Sequence, residues 1–159
     1  MRITVVCAGK LKEKYLSQGI AEFQKRLTPF CSFEIREIHE EKMPAEPSAA
    51  EKEQVLTREG ERLLRQVPQG SYLIVLDVFG RELSSEELSA RLDALALQGK
   101  SSIAFLIGGA FGLSEEVRAA ADCRLSFSRL TFTHQMVRLL LIEQIYRAFK
   151  ISRGEKYHW

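Results

Sequence analysis

Ser71-Tyr-Leu-Ile-Val-Leu-Asp-Val78 is the stretch that decides the fold. Its apolar residues run on without the polar alternation of a half-exposed strand, so it suits a strand covered on both faces. Such strands belong to parallel sheets, whose crossover connections lay helices over each face. The flanking sequence supplies those helices. Downstream, Ser84 and Glu87 form a capping box ahead of a stripe of Leu88, Leu92 and Leu95. Upstream, Ser48 and Glu51 form another ahead of Leu56, Leu63 and Val67.

Working outward, residues 2–8 and 32–39 alternate as strands and enclose a helix carrying Leu16, Ile20, Phe23 and Leu27, stopped by Pro29. Glu40 to Pro47 holds two prolines among mixed charges and reads as a mobile loop. Ser102 to Ile107 is a further buried strand ending at Gly108-Gly109, Ser114 opens a short helix with Glu115 and Glu116 in its first turn, and Arg124 to Phe127 is the last strand. Strands alternating with helices predict an α/β fold: a mostly parallel sheet with helices on both faces.

The length of 159 residues fits one domain with a real core. No apolar run approaches a membrane span, and Met1-Arg-Ile-Thr-Val-Val reads as a strand rather than a signal peptide, so a cytoplasmic location is expected. Cys7, Cys31 and Cys123 lack any paired spacing, which argues against a disulfide framework or zinc site; no metal is expected. From Arg129 to Lys156 six basic residues face two acidic ones, a footprint that suits phosphate and equally an ordinary solvated surface.

The predicted helix from Thr133 to Phe149 lacks an ordinary stripe, because Leu139 to Ile142 are four apolar residues in succession. A helix apolar nearly all round is buried on several sides, in a core or at a subunit contact. Arg138 lies in line with Ile142 and Ile145. A charge beside apolar surface needs an acid, a phosphate or a partner chain. Glu143 and Arg147 are spaced for a helical ion pair.

Gly108-Gly109-x-x-Gly112 is not a dinucleotide fingerprint. It permits close approach of a ligand, or simply a strand-to-helix turn. Phe127-Ser-Arg-Leu-Thr-Phe132 is half apolar and free of glycine, odd for a surface connection. Its backbone groups suit the edge of a flat heterocycle, with Leu130 and Phe132 packed around it. Thr133 is a cap for the next helix, and His134 reads as support for this loop. Tyr157-His158-Trp159 places three rings beside Lys156 and Arg153, either packed as a structural tail or stacked on an unpaired base.

Leu106-Ile-Gly-Gly109, Leu125-Ser-x-Ser-x-Leu-Thr131, His134-Gln-Met-Val-Arg-Leu139, Glu143-Gln-Ile-Tyr-Arg-Ala148, the Tyr157-His158 ending and the opening Ala8-Gly-Lys-Leu-Lys12 together resemble the ribosomal RNA large subunit methyltransferase H family of SPOUT methyltransferases. The resemblance runs nearly end to end. It implies a single SPOUT domain over 1–159 with a carboxyl-terminal deep trefoil knot, its cofactor-binding part within about 103–159. It further implies a homodimer, S-adenosyl-L-methionine as methyl donor, and a substrate in 23S rRNA of the assembled ribosome: N3 of a pseudouridine in the stem-loop facing the decoding centre.

By position, the resemblance places cofactor contacts at Leu76, Gly108 and Phe127, Ser128, Arg129, Leu130, Thr131 and Phe132. Arg138, Arg153, Tyr157 and His158 fall where contacts to RNA or the partner subunit are expected. Of these, His158 is the candidate proton acceptor, and Arg153 or Arg138 the candidate stabiliser of a developing anion. Thr133 stands where the family often has proline, and Trp159 where it commonly has a basic residue. Stacking is therefore expected at the terminus in place of a phosphate contact. Two rival readings are a non-catalytic ribosome-binding factor and a flavodoxin-like nucleotide module.

Overall fold

The computed structural model describes residues 1–158; Trp159, and with it the expected terminal stacking contact, lies outside the described residues. Ten elements alternate along the chain: β1 Arg2–Ala8, α1 Lys14–Leu27, β2 Ser32–Ile38, α2 Ala49–Gln66, β3 Tyr72–Glu82, α3 Ser85–Leu97, β4 Ser102–Ile107, α4 Glu115–Ala120, β5 Cys123–Ser126 and α5 His134–Ser152. The sheet order is β2-β1-β4-β3-β5, and every pairing is parallel. The expected doubly covered parallel sheet is present.

Side chains along the strands alternate between two cores, the period-2 consequence of the pleat. Ile3, Val5, Cys7, Ile74, Ile103, Phe105 and Ile107 face one way, onto Ile20 and Leu27 of α1, Leu88, Leu92 and Leu95 of α3 and Leu141, Ile142 and Ile145 of α5. Val6, Ala8, Leu73, Val75, Ala104 and Leu106 face the other way, onto Leu63 of α2 and Val117 of α4. Both capping boxes form, at Ser48/Glu51 and Ser84/Glu87, as local sequence dictates.

Two expectations are corrected. The buried stripe of α2 is Val55, Glu59, Gly60 and Leu63; Leu56, one residue and about 100° further round, is only half-buried. In addition, β3 runs past Val78 to Glu82, with its register to β5 broken between Leu76 and Arg81. The irregular stretch turns Val78 and Phe79 outward, 53% and 77% exposed, beside the strand ends. The strand therefore has a buried half and an open half.

No helix among the described residues is long and apolar enough to cross a membrane.

Candidate functional site

Beyond the carboxyl ends of β3, β4 and β5 opens a cavity of about 880 Å³. Open α/β sheets place their ligands there, outside the strand ends. One wall is Leu76, Asp77 and Val78, a second is Ile107, Gly108, Gly109 and Leu113, and a third is the 125–132 loop. Thr133, His134, Gln135 and Val137 from the start of α5 and Glu13, Tyr15 and Leu16 from the start of α1 complete the enclosure. Leu76, Gly108, Phe127, Ser128, Leu130, Thr131 and Phe132 are thus brought together from separate elements. Arg129 is not: it stands outside the lining with its side chain exposed.

The 125–132 loop is held by its own hydroxyls. Ser126 Oγ donates to the Ser128 carbonyl at 3.1 Å, and the Leu130 amide donates to Ser128 Oγ at 3.0 Å. Thr133 Oγ1 accepts from the Met136 amide at 3.2 Å, the predicted cap of α5. These contacts leave Leu130 and Phe132 open at 72% and 43% exposure. Apolar groups held out over a cleft can pack around a flat ring entering it.

The turn after β4 has no room for a side chain at Gly108. A Cβ on Gly108 would lie 2.7 Å from Leu113 Cδ2 and 2.8 Å from the Gly112 carbonyl oxygen. Glycine at this position is therefore required first by the turn's own packing, whatever ligand approaches it.

Asp77 is a wall residue that sequence reasoning missed. Its Oδ2 accepts from Arg118 Nε at 3.1 Å and Arg124 Nη1 at 3.3 Å, and its Oδ1 accepts from the Phe79 amide at 3.1 Å. Two guanidiniums compensate a carboxylate whose side chain is 2% exposed, which a charge so deeply placed requires. A single acid inside the apolar run Ser71–Val78 was the available signal. His134 lies with Nε2 2.8 Å from Glu40 Oε1, beside the segment after β2 but without the alignment of a hydrogen bond.

The four residues expected at RNA or the partner subunit lie outside this cavity. Arg138 is fully buried and turned inward: its Nη1 donates to Glu37 Oε1 at 2.8 Å, and its Nη2 to the carbonyls of Ala8 and Gly9 at 2.5 and 2.6 Å. Arg153 is exposed and stacks over the Phe30 ring at 4.2 Å. Tyr157 packs edge-on against Tyr146 at 4.9 Å, lies beneath the Arg147 guanidinium at 4.7 Å and donates its hydroxyl to Glu143 at 2.9 Å. His158 bridges Arg147 Nη1 at 3.3 Å and Glu86 Oε1 at 2.7 Å. None of the four lines the cavity.

The tail is electrostatically set. Burial and the bond to Glu143 push the Tyr157 hydroxyl above its ordinary value. Glu86 is held down to about 2, first by its own backbone N–H, then by the Ser84 hydroxyl and His158. The expected Glu143–Arg147 ion pair is present, with Nη2 at 2.6 Å.

A parallel sheet with a largely apolar, glycine-walled pocket past three strand ends defines an α/β protein with a cavity at its carboxyl-edge loops, where folds of this class take their ligands. Comparison with known proteins makes the class specific. A family model described as "Predicted SPOUT methyltransferase" matches residues 1–158. Ribosomal RNA large subunit methyltransferase H from Halothermothrix orenii is 52% identical over 158 residues, covering 99% of each chain. The protein of the same name from Pelotomaculum thermopropionicum is 54% identical over 157 residues, 99% of this chain and 98% of its own.

The chain belongs to the SPOUT methyltransferases and, within them, to the ribosomal RNA large subunit methyltransferase H family. Among solved structures, one described as a probable methylase family protein from Haemophilus influenzae superimposes with a TM-score of 0.59 at 13% identity, over 99% of this chain and 70% of its own. A tRNA methyltransferase from Aquifex aeolicus gives 0.52 at 13% identity, over 92% and 70%. At that identity the likeness is one of fold.

Proposed function

We propose that the protein is an S-adenosyl-L-methionine-dependent methyltransferase acting on N3 of a pseudouridine in 23S rRNA, in the stem-loop that faces the decoding centre of the assembled ribosome. The observation that carries this reading is the cavity beyond β3, β4 and β5. Its volume falls within the ~300–1,000 Å³ of small-molecule sites. Its apolar walls at Leu76, Ile107, Leu113, Leu125 and Val137, with the Arg118 guanidinium already paired to Asp77, fit an adenosine better than a phosphate-rich nucleotide. Most of the cofactor's contacts then fall within residues 103–159 of one methyltransferase domain. The knotted threading of the carboxyl-terminal part is proposed from the family resemblance.

Bound there, the cofactor supplies an electrophilic methyl on a sulfonium. The chain's part is to fix that group and the target nitrogen in near-attack geometry, the largest gain available to a displacement of this kind. The nitrogen's proton must leave at or before attack, and His158 is the group proposed to take it at Nδ1, once that atom is released from the Arg147 guanidinium it faces while Nε2 stays on Glu86. Arg153 is the exposed cation offered to the developing anion. Arg138 instead holds the end of β1.

The proposal includes a homodimer, which the place of the tail supports. The tail folds back from the end of α5 so that its rings lie over Glu143, Tyr146 and Arg147, which at ~1.5 Å per residue are roughly 14–20 Å along the helix from the start of α5 that lines the pocket. Its rings therefore serve the pocket of a second copy. Tyr15, Val78, Phe111, Leu130 and Phe132 leave apolar surface around the mouth for such a partner.

Methyl transfer to purified ribosomes with and without the pseudouridine tests the proposal. Transfer confined to the pseudouridine-bearing particle is the expected result. Ribosome binding with no measurable S-adenosylmethionine affinity would favour a non-catalytic binding factor.

A further inference from the structure

Glu59 is a buried carboxylate for which methyl transfer supplies no role. It sits on α2, across the sheet from α5, and is 7% exposed. Burial pushes its pKa up, bonds from the Gly109 and Glu41 amides pull it down, and the nearby Glu40 and Glu41 raise it again. A charge in that position carries a desolvation cost that only specific donors offset.

The donors lie on two separate segments. The Gly109 amide donates to Glu59 Oε1 at 3.1 Å, and the Glu41 amide donates to Oε2 at 3.4 Å. Contact with the glycine turn is close enough that a Cβ on Gly109 would stand 2.8 Å from Oε1. Close packing of α2 makes the reach possible, since a Cβ on Gly60 would fall 2.4 Å from Ser114 Oγ at the cap of α4. The segment after β2 held by Glu59 also carries Glu40, which faces His134 in the pocket lining, and Glu41, which pairs with Arg62.

We propose that Glu59 is a positioning residue of the pocket, its carboxylate holding the Gly109 amide from behind so that the 108–113 wall keeps the shape the cofactor meets. The inference rests on the reading of this cavity as the S-adenosylmethionine site. A carboxylate suits the task because an N–H bond to an ionised acceptor is about twice as strong as a neutral one.

The test uses the full chain. Glu59→Ala should speed amide exchange at Gly109 in the ligand-free protein and weaken S-adenosylmethionine binding by about tenfold, the loss expected for a bond to a charged group. Single-turnover transfer at saturating cofactor and ribosome should stay within about twofold of wild type, because Glu59 touches neither reactant. Glu59→Gln, which keeps an acceptor oxygen, should recover most of the affinity. Gly109→Ala should cost as much as Glu59→Ala, and nothing more in the Glu59→Ala background, since the clash partner is then gone. Unchanged Gly109 exchange in Glu59→Ala, or additive losses in the double variant, would overturn the proposal. If Glu59→Ala does not fold, Glu59→Gln and Gly109→Ala decide it, and wild-type affinity in Gly109→Ala refutes it. Absence of cofactor binding by the wild-type chain would instead overturn the reading of the cavity, while the exchange measurement still decides whether Glu59 holds the turn.

Discussion

Glu37 and Arg138, 101 residues apart in the chain, meet at 2.8 Å, and the same guanidinium bonds the carbonyls of Ala8 and Gly9. One buried cation thus ties α5 to β2 and to the end of β1. Its removal leaves two inward carbonyls unpaired and an acid without its partner. Glu37, 34% exposed, can be solvated once alone, so Arg138→Ala is expected to destabilise the fold by about 1–3 kcal/mol, the cost of taking a donor from buried acceptors. Urea denaturation with an unchanged m-value is the measurement; a loss under 1 kcal/mol would mean the contacts are incidental.

At Gly108 the expectation follows from its neighbours. A Cβ there meets Leu113 and the Gly112 carbonyl before it meets any ligand. Gly108→Ala should displace the turn, lowering S-adenosylmethionine affinity by tenfold or more and stability by about 1–3 kcal/mol, the range for overpacking. Calorimetry and thermal unfolding on the same variant check both. Full affinity alongside lost stability would separate the turn from the site.

Local chemistry was legible and long-range chemistry was not. The capping boxes at Ser48 and Ser84 and the cap at Thr133 involve residues within one turn, so the sequence carries them whole. The 125–132 loop stood out because apolar residues there have no local use. Glu59 could not be found the same way: an acid on a charged helix reads as solvated, and its donors lie at Glu41 and Gly109, 18 and 50 residues off. Arg138 was flagged as needing a partner, yet Glu37 and the β1 carbonyls are neighbours only once the strand order is known. The same holds for Asp77 with Arg118 and Arg124.

Assembly is expected from α5. Met136 and Leu140 sit on its partly exposed side, one turn apart and outside the main core packing. Sedimentation at micromolar concentration should show a dimer burying about 1,600 Å² in total, the standard size for a specific contact. Leu140→Glu should shift it to monomer without unfolding it. A wild-type monomer would remove the shared site.

Docking of the tail should depend on pH in a defined sense. Glu86 is held at about 2 first by its own backbone N–H and the Ser84 hydroxyl; only the smaller His158 share is linked to docking, favours the docked state above the ordinary carboxylate range and is lost as pH falls toward that value. Tyr157, raised above its ordinary ~10, favours the docked state at lower pH and loses its contribution as the hydroxyl ionises at more alkaline pH. The tail should therefore stay docked across the neutral range and release at both extremes. Amide exchange of residues 155–158 measured against pH follows this directly. Tyr157→Phe should abolish the alkaline release; release unchanged in that variant would assign it to another group.

Tail and chemistry meet in the last expectation. Arg153 is exposed and stacked on Phe30, a position from which it can reach a phosphate without unfolding anything. Each lost phosphate contact should lower the salt slope of ribosome binding by roughly 0.7 to 0.9. Arg153→Ala should weaken binding and flatten that slope while cofactor affinity stays as in wild type. Tyr157 and His158 are anchored by Glu143, Arg147 and Glu86, and their proposed part is to position a base rather than to add charge. Deleting residues 157–159 should consequently slow single-turnover methylation at saturating ribosome far more than it weakens binding. Equal rates for the truncated and full chains would show that these rings only pack α5, and would leave the proton acceptor to be sought in the pocket, where His134 is the one imidazole in the lining.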